Sequence, residues 1–196
     1  MKNKGAMSTK TLVMAAVLTA LVVILQSMGI AIRFGTFSVS LVLIPIVIGT
    51  ATCGKNIGAW LGFVFGVVVL LSGDAAPFLA VNAAGTVVTV LLKGLLCGYV
   101  SGLIYDLVYK VKQNNYWSTA AAAVVCPVVN TGIFLLGCLV FFMPTVAGWA
   151  EAAGLGANVG KYMIFVLVGG NFLFELAINI VLSPIIVRII KNIKKA

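Results

Sequence analysis

Histidine is absent from these 196 residues, and aspartate and glutamate together number only 4. The first absence removes the commonest general base and metal ligand, and with it Ser-His hydrolases, haem bundles and intramembrane metalloproteases. The second leaves no acidic cluster for a two-metal lipid transferase. No G-x-x-x-x-G-K-[ST] run occurs, so the chain has no phosphate loop with which to use ATP itself. No G-x-S-x-G elbow occurs either. The four cysteines, Cys53, Cys97, Cys126 and Cys138, lie in or beside apolar stretches, at spacings that fit neither a zinc site nor a disulfide framework. They read as small apolar core residues. No nucleophile is paired with a base, and the chain is not expected to be an enzyme.

Charge is scarce as well, at 9% of residues, against 62% hydrophobic and a mean hydropathy of +1.20. A soluble domain of this size cannot hide so much apolar surface, which makes lipid the expected solvent. The net charge of +9 belongs to no separate basic domain that would grip nucleic acid. Its distribution carries the information. Lys2, Lys4 and Lys10 precede the first apolar stretch, Lys55 lies between the second and third, and Lys110 and Lys112 lie between the fourth and fifth. Arg188, Lys191, Lys194 and Lys195 follow the sixth. The alternate gaps hold only Arg33 and Lys161. The positive-inside rule then places both termini in the cytoplasm. The lysines before the first stretch resemble a signal peptide, but no clear cleavage site follows, so the stretch is kept as a helix.

A crossing needs about 20 residues. The expected spans run over 11–32, 37–52, 57–72, 81–108, 118–142 and 161–190, as an all-α integral membrane protein, one compact six-helix domain over 1–196. Pro45 is expected to interrupt or bend the short second span, and Pro127 lies within the fifth. The Gly/Ala-rich outer loop 144–160 has room for a short amphipathic piece. No strong internal repeat is visible, which weighs against a secondary transporter built from two related halves.

Polar residues inside the spans mark the candidate site. Asn171, Glu175 and Asn179 recur every four residues and share a helical face. Glu175 is the acidic residue in the middle of a span, where an ionisable group costs about 3 kcal/mol and normally faces the bundle interior with a partner. Asn82, Thr86, Thr89 and Lys93 form a second stripe. Lys93 could neutralise Glu175, contact a ligand, or both. Asn130 and Thr131 follow Pro127. Each amide could instead be interhelical glue. Candidate lid residues are Arg33, Phe34 and Phe37 in the first outer loop, Asp74, Pro77 and Phe78 in the second, and Trp149, Glu151 and Asn158 in the third. Trp60 and Trp117 read as interface anchors. Ala16 and Ala20 form a small-residue stripe on the first span, suited to close approach of another helix.

In its length, six spans, Ala16/Ala20 stripe, and the segment Ser40–Gly49 ahead of the glycine-rich Gly58–Gly66, the chain resembles the substrate-binding S component of an energy-coupling factor (ECF) vitamin transporter. The resemblance covers nearly the whole length and implies a function. Such a subunit captures a water-soluble vitamin from outside, docks on a transmembrane coupling protein joined to two cytosolic ATPases, and releases the vitamin inward. It implies no cofactor or metal for this chain, with ATP used by the partners, and a bacterial plasma-membrane location. It assigns docking to Ala16 and Ala20, and ligand contact to Arg33, Phe34, Asn82, Thr86, Lys93, Asn130, Asn171 and Glu175. The segments Leu71–Phe78 and Val125–Thr131, with Lys93, look closest to the pantothenate branch. Lys93 would suit a carboxylate ligand. Riboflavin is the next candidate, although a flavin would want stacking surface and few aromatics are expected mid-bundle. Folate and pyridoxine-like ligands stay open. A stand-alone channel or facilitator is the alternative of another class, and it would need a polar path that fades at Ile180–Val187.

Overall fold

The computed structural model describes the backbone of residues 7–29, 33–34, 37–38, 41–156 and 158–195, and the side chains of these except 29, 33–34, 37–38, 171 and 190–195. The chain forms a bundle of helices: α1 (Thr9–Gly29), α2 (Leu43–Cys53), α3 (Lys55–Leu71), α4 (Ala76–Leu79), α5 (Ala83–Lys112), α6 (Asn115–Phe141), α7 (Met143–Ala152), α8 (Val159–Lys161) and α9 (Gly170–Lys195). A π-helical segment, Tyr162–Gly169, leads into α9. Between α1 and α2 lies a small hairpin, β1 (Arg33–Phe34) and β2 (Phe37–Ser38), with Arg33 opposite Ser38 and Phe34 opposite Phe37.

Among the described residues, four helical stretches are long and apolar enough to cross a membrane: Thr9–Met28, Ala83–Lys112, Asn115–Phe141 and Phe172–Ile189. Their lipid-facing character shows on α1, where Leu12, Val13, Val17 and Ile24 are more than half exposed while Leu18 and Val22 pack inward. Exposed apolar surface on this scale is what a lipid solvent tolerates and water does not.

The second span differs from expectation. Helix α2 starts at Leu43, because Phe37 and Ser38 are taken up by the hairpin. Its 11 residues reach about 16 Å, roughly half the hydrocarbon thickness. Pro45 does not interrupt it. The proline sits in the first turn, where a backbone N–H has no intrahelical partner to lose. Leu43, Ile46 and Val47 are fully buried, and α2 touches α1, α3, α5, α6 and α9. A helix apolar all round is one that is enclosed all round. The turn from α2 into α3 is made by Gly54 at φ 94°, a backbone angle that glycine reaches without strain.

The other spans follow the expected segments with shifted ends. Helix α5 extends to Lys112, with Lys110 and Lys112 in its last turn, where cations complement the helix dipole. Tyr105 donates to Asn115 Oδ1 at 2.9 Å, fixing the short α5–α6 turn. Helix α6 continues through the buried Pro127. The segment after α6 contains the ten-residue helix α7.

Helix α3 packs backbone-close against α5. Gly58, Gly62 and Gly66 face Gly94, Gly98 and the carbonyl of Val90, so that backbone meets backbone. A methyl at Gly62 would collide with the Gly94 carbonyl, and one at Gly94 with the Gly62 carbonyl. Small residues four apart are what permit such approach in lipid. Thr50 of α2 adds a hydrogen bond to Gly98 O at 3.3 Å.

Candidate functional site

Lys93 lies ten residues into α5, about 15 Å from its N-terminal end at 1.5 Å per residue. Its Nζ stands 5.6 Å from the centre of the Phe65 ring of α3 and 5.4 Å from that of Phe134 of α6. An ammonium group held over two ring faces gains electrostatically from each quadrupole, most where water is excluded. Glu175 of α9 is near enough for its carboxylate to act on that ammonium, as is Asp74 of the turn between α3 and α4. No direct ion pair joins Lys93 to Glu175 among the described residues.

Several oxygens nearby on the same helices have no hydrogen-bond partner. Thr89 is one turn before Lys93 and 4% exposed, and its Oγ1 is unpartnered among the described residues; its side chain packs on Gly137 of α6. Asn130, one turn before Phe134, is 7% exposed with Oδ1 unpartnered. Asn179 is 1% exposed; its Nδ2 donates to Glu175 O at 2.8 Å and its Oδ1 has no partner. An unsatisfied buried oxygen costs on the order of 1–3 kcal/mol. These oxygens lie on α5, α6 and α9, the helices that also carry Lys93, Phe134 and Glu175. The helix feeding Glu175 is itself unusual, because the π-helical Tyr162–Gly169 widens the turn just before it, a feature frequent at functional sites.

The sequence-derived candidates divide. Lys93 lies on α5, Asn130 on α6 and Glu175 on α9, with α6 packed against both of the other helices. Thr86 is buried, but its hydroxyl donates to Asn82 O at 2.8 Å. Asn82 is the N-cap of α5, its Oδ1 accepting from Gly85 N at 2.9 Å. These two polar groups are engaged in starting the helix, a local duty that the stripe spacing did not distinguish from ligand contact. Arg33 and Phe34 lie in β1, and their side chains, like that of Asn171, fall outside the described residues. Ala16 and Ala20 are on the exposed face of α1, pointing away from the bundle. Trp60 and Trp117 are half exposed or more, as interface anchors would be, and Trp60 Nε1 also donates to Thr19 Oγ1 at 3.2 Å.

Two aromatic residues went unrecognised in the sequence. Phe65 and Phe134 lie beside Lys93 in mid-bundle, which corrects the expectation of few aromatics there. No spacing could have found them, since they sit on different helices among 11 phenylalanines. Gln26 was missed too. It is a lone amide in the apolar α1, 6% exposed, and it donates from Nε2 to Asp74 Oδ2 at 2.7 Å.

With this geometry in hand, the chain was compared with known proteins. The family model described as "ECF transporter, substrate-specific component" matches residues 10–187. The chain belongs to that family. A comparison with curated proteins finds no match. Among solved structures, ThiT from Listeria monocytogenes has a similar fold, with a TM-score of 0.66 at 18% identity over 94% of this chain and 95% of that one. At that identity the likeness speaks for the fold alone. This protein is therefore a membrane-embedded substrate-specific component, with the family and fold of transport subunits rather than enzymes.

Proposed function

We propose that this S component captures pantothenate at the outer face of a bacterial plasma membrane and delivers it inward when docked on its energising module. The observation that carries the reading is the Lys93 ammonium, held over the Phe65 and Phe134 rings without a direct ion pair among the described residues, on helices that with α9 also bear the unpartnered oxygens of Thr89, Asn130 and Asn179. Lys93 has no carboxylate in direct contact among the described residues, and the oxygens lack hydroxyl or amide donors there. Pantothenate carries both kinds of group. A carboxylate hydrogen-bonded to Lys93 contributes about 1.5–3 kcal/mol, or roughly ten- to a hundredfold in affinity.

Both termini are placed in the cytoplasm by the lysine distribution, six membrane segments form one domain, and Ala16 and Ala20 dock on the coupling protein, which works with two ATPases. The exposure of both alanines on α1 supports that role. Riboflavin remains a second reading, favoured by the Phe65 and Phe134 rings. Calorimetric titration of the purified full-length protein with pantothenate and with riboflavin tests the choice. Saturable one-to-one heat from pantothenate alone is expected, and heat from riboflavin alone would overturn it.

A further inference from the structure

The 4 acidic residues occupy different settings. Glu151 of α7 and Asp106 of α5 are exposed, and Asp106 lies about 20 Å along the helix from Lys93. Asp74 Oδ2 accepts hydrogen bonds from Gln26 Nε2 at 2.7 Å and from Ser72 Oγ at 3.3 Å. Glu175 differs from all three. Among the described residues nothing donates to its carboxylate, and Asn179 gives its amide to the Glu175 backbone carbonyl instead. What acts on that carboxylate is the Lys93 ammonium, from a distance and without a direct ion pair. Both side chains are half-buried, on helices that span the membrane. The surroundings add no second cation. Helix α9 packs on α6, α2, the π-helical segment and β2. Their titratable groups are Tyr116, Cys126 and Cys138 on α6, Cys53 on α2 and Tyr162 in the π-helical segment, while Phe37 and Ser38 of β2 bring none. Cys97 of α5 also lies near Lys93. The next charge along α9 is Arg188, about 20 Å away.

We propose that an anionic ligand binding at Lys93 draws one proton onto the Glu175 carboxylate, and that a neutral ligand draws none. Formal charge makes the case. Lys93 and Glu175 balance one to one. A ligand carboxylate brought to Lys93 sets two negative charges against one positive, and like charges sharing a site drive one of them to take up a proton. The ligand's carboxylate would be held by a charge-assisted hydrogen bond from the ammonium. Glu175 stands further off with no donor, so the proton goes there. Glu175 is then a positioning residue that acts through Lys93 and sets how strongly the ammonium answers an anion. The proposal rests on the reading of Lys93 as the group that receives the ligand's carboxylate. Its sign is fixed: a proton taken up on binding makes affinity for the anion fall as pH rises, by up to about tenfold per pH unit where uptake nears one.

Calorimetric titration of the full-length protein in buffers of low and high ionisation enthalpy, from about pH 6 to about pH 9, counts the protons. The wild type should take up more than about half a proton per pantothenate at its maximum, with affinity falling as pH rises. Pantothenol, which is neutral, should bind with heats that do not depend on buffer. Glu175→Gln keeps the shape without the charge. It should bind pantothenate without proton uptake and, at the alkaline end, about tenfold more tightly than the wild type. Asp74→Asn should retain the uptake. Pantothenate binding with buffer-independent heat in the wild type would overturn the proposal and leave the pantothenate reading standing. Absence of any pantothenate binding would overturn both. Uptake that survives in Glu175→Gln, or that disappears in Asp74→Asn, would place the proton elsewhere and overturn the proposal. Should Glu175→Gln fail to fold, the wild-type contrast between pantothenate and pantothenol decides.

Discussion

The contact of α3 with α5 and the cluster that α5 shares with α6 and α9 are built on opposite terms. Across the first, glycines bring backbones together and leave no room for a side chain. Around the second, Thr89, Asn130 and Asn179 keep oxygens without partners, Lys93 rests on rings, and a π-helical stretch interrupts the regular helix. Both involve α5. A rigid wall on one face of that helix holds Lys93 in place for a cluster on another face that carries unspent polarity. Strain and unsatisfied groups persist at functional sites when the surroundings over-determine them.

The comparison can be broken most severely at the wall. Gly62→Val forces a side chain into the Gly94 carbonyl and should cost about 3 kcal/mol or more; size-exclusion chromatography should show aggregate in place of a monodisperse peak. A well-behaved protein of unchanged melting temperature would show that the two backbones are not in contact. Next in size is the outward face of α1. Ala20→Trp should abolish vitamin uptake in cells that carry the energising module while calorimetric binding stays intact. Loss of binding as well would mean that α1 does not separate docking from capture. The smallest effect lies in the polar cluster. Asn179→Leu removes an unsatisfied buried oxygen along with one hydrogen bond. Thermal stability should therefore change by no more than about 1 kcal/mol, while pantothenate affinity falls about tenfold. A large loss of stability with unchanged affinity would make Asn179 structural glue.

Much of the fold was legible because lipid imposes simple rules. The lysine clusters and the long apolar runs locate α1, α5 and α6 within a few residues, while α9 begins at Gly170, after the π-helical segment that the expected sixth span also took in. Helix α2 was misjudged because its apolar run continues back through Ser38 to Phe37, and only the hairpin pairing decides where helix begins. The site was half legible. Period-four spacing set Glu175 and Asn179 on one face and led to Lys93. The same spacing swept in Asn82, whose oxygen caps a helix, because periodicity reports direction and says nothing of local hydrogen bonds. Phe65, Phe134 and the Gln26–Asp74 bond join residues far apart in sequence, and single-chain spacing carries no trace of such pairings.

The most direct test compares pantothenate with its neutral alcohol analogue, pantothenol, on the wild type and on Lys93→Met, by calorimetry in one buffer. The wild type should favour the carboxylate by about tenfold or more, and Lys93→Met should erase that preference by weakening pantothenate alone. Equal weakening of both ligands, or an undiminished preference, would contradict the assignment of Lys93 as the group that receives the anion.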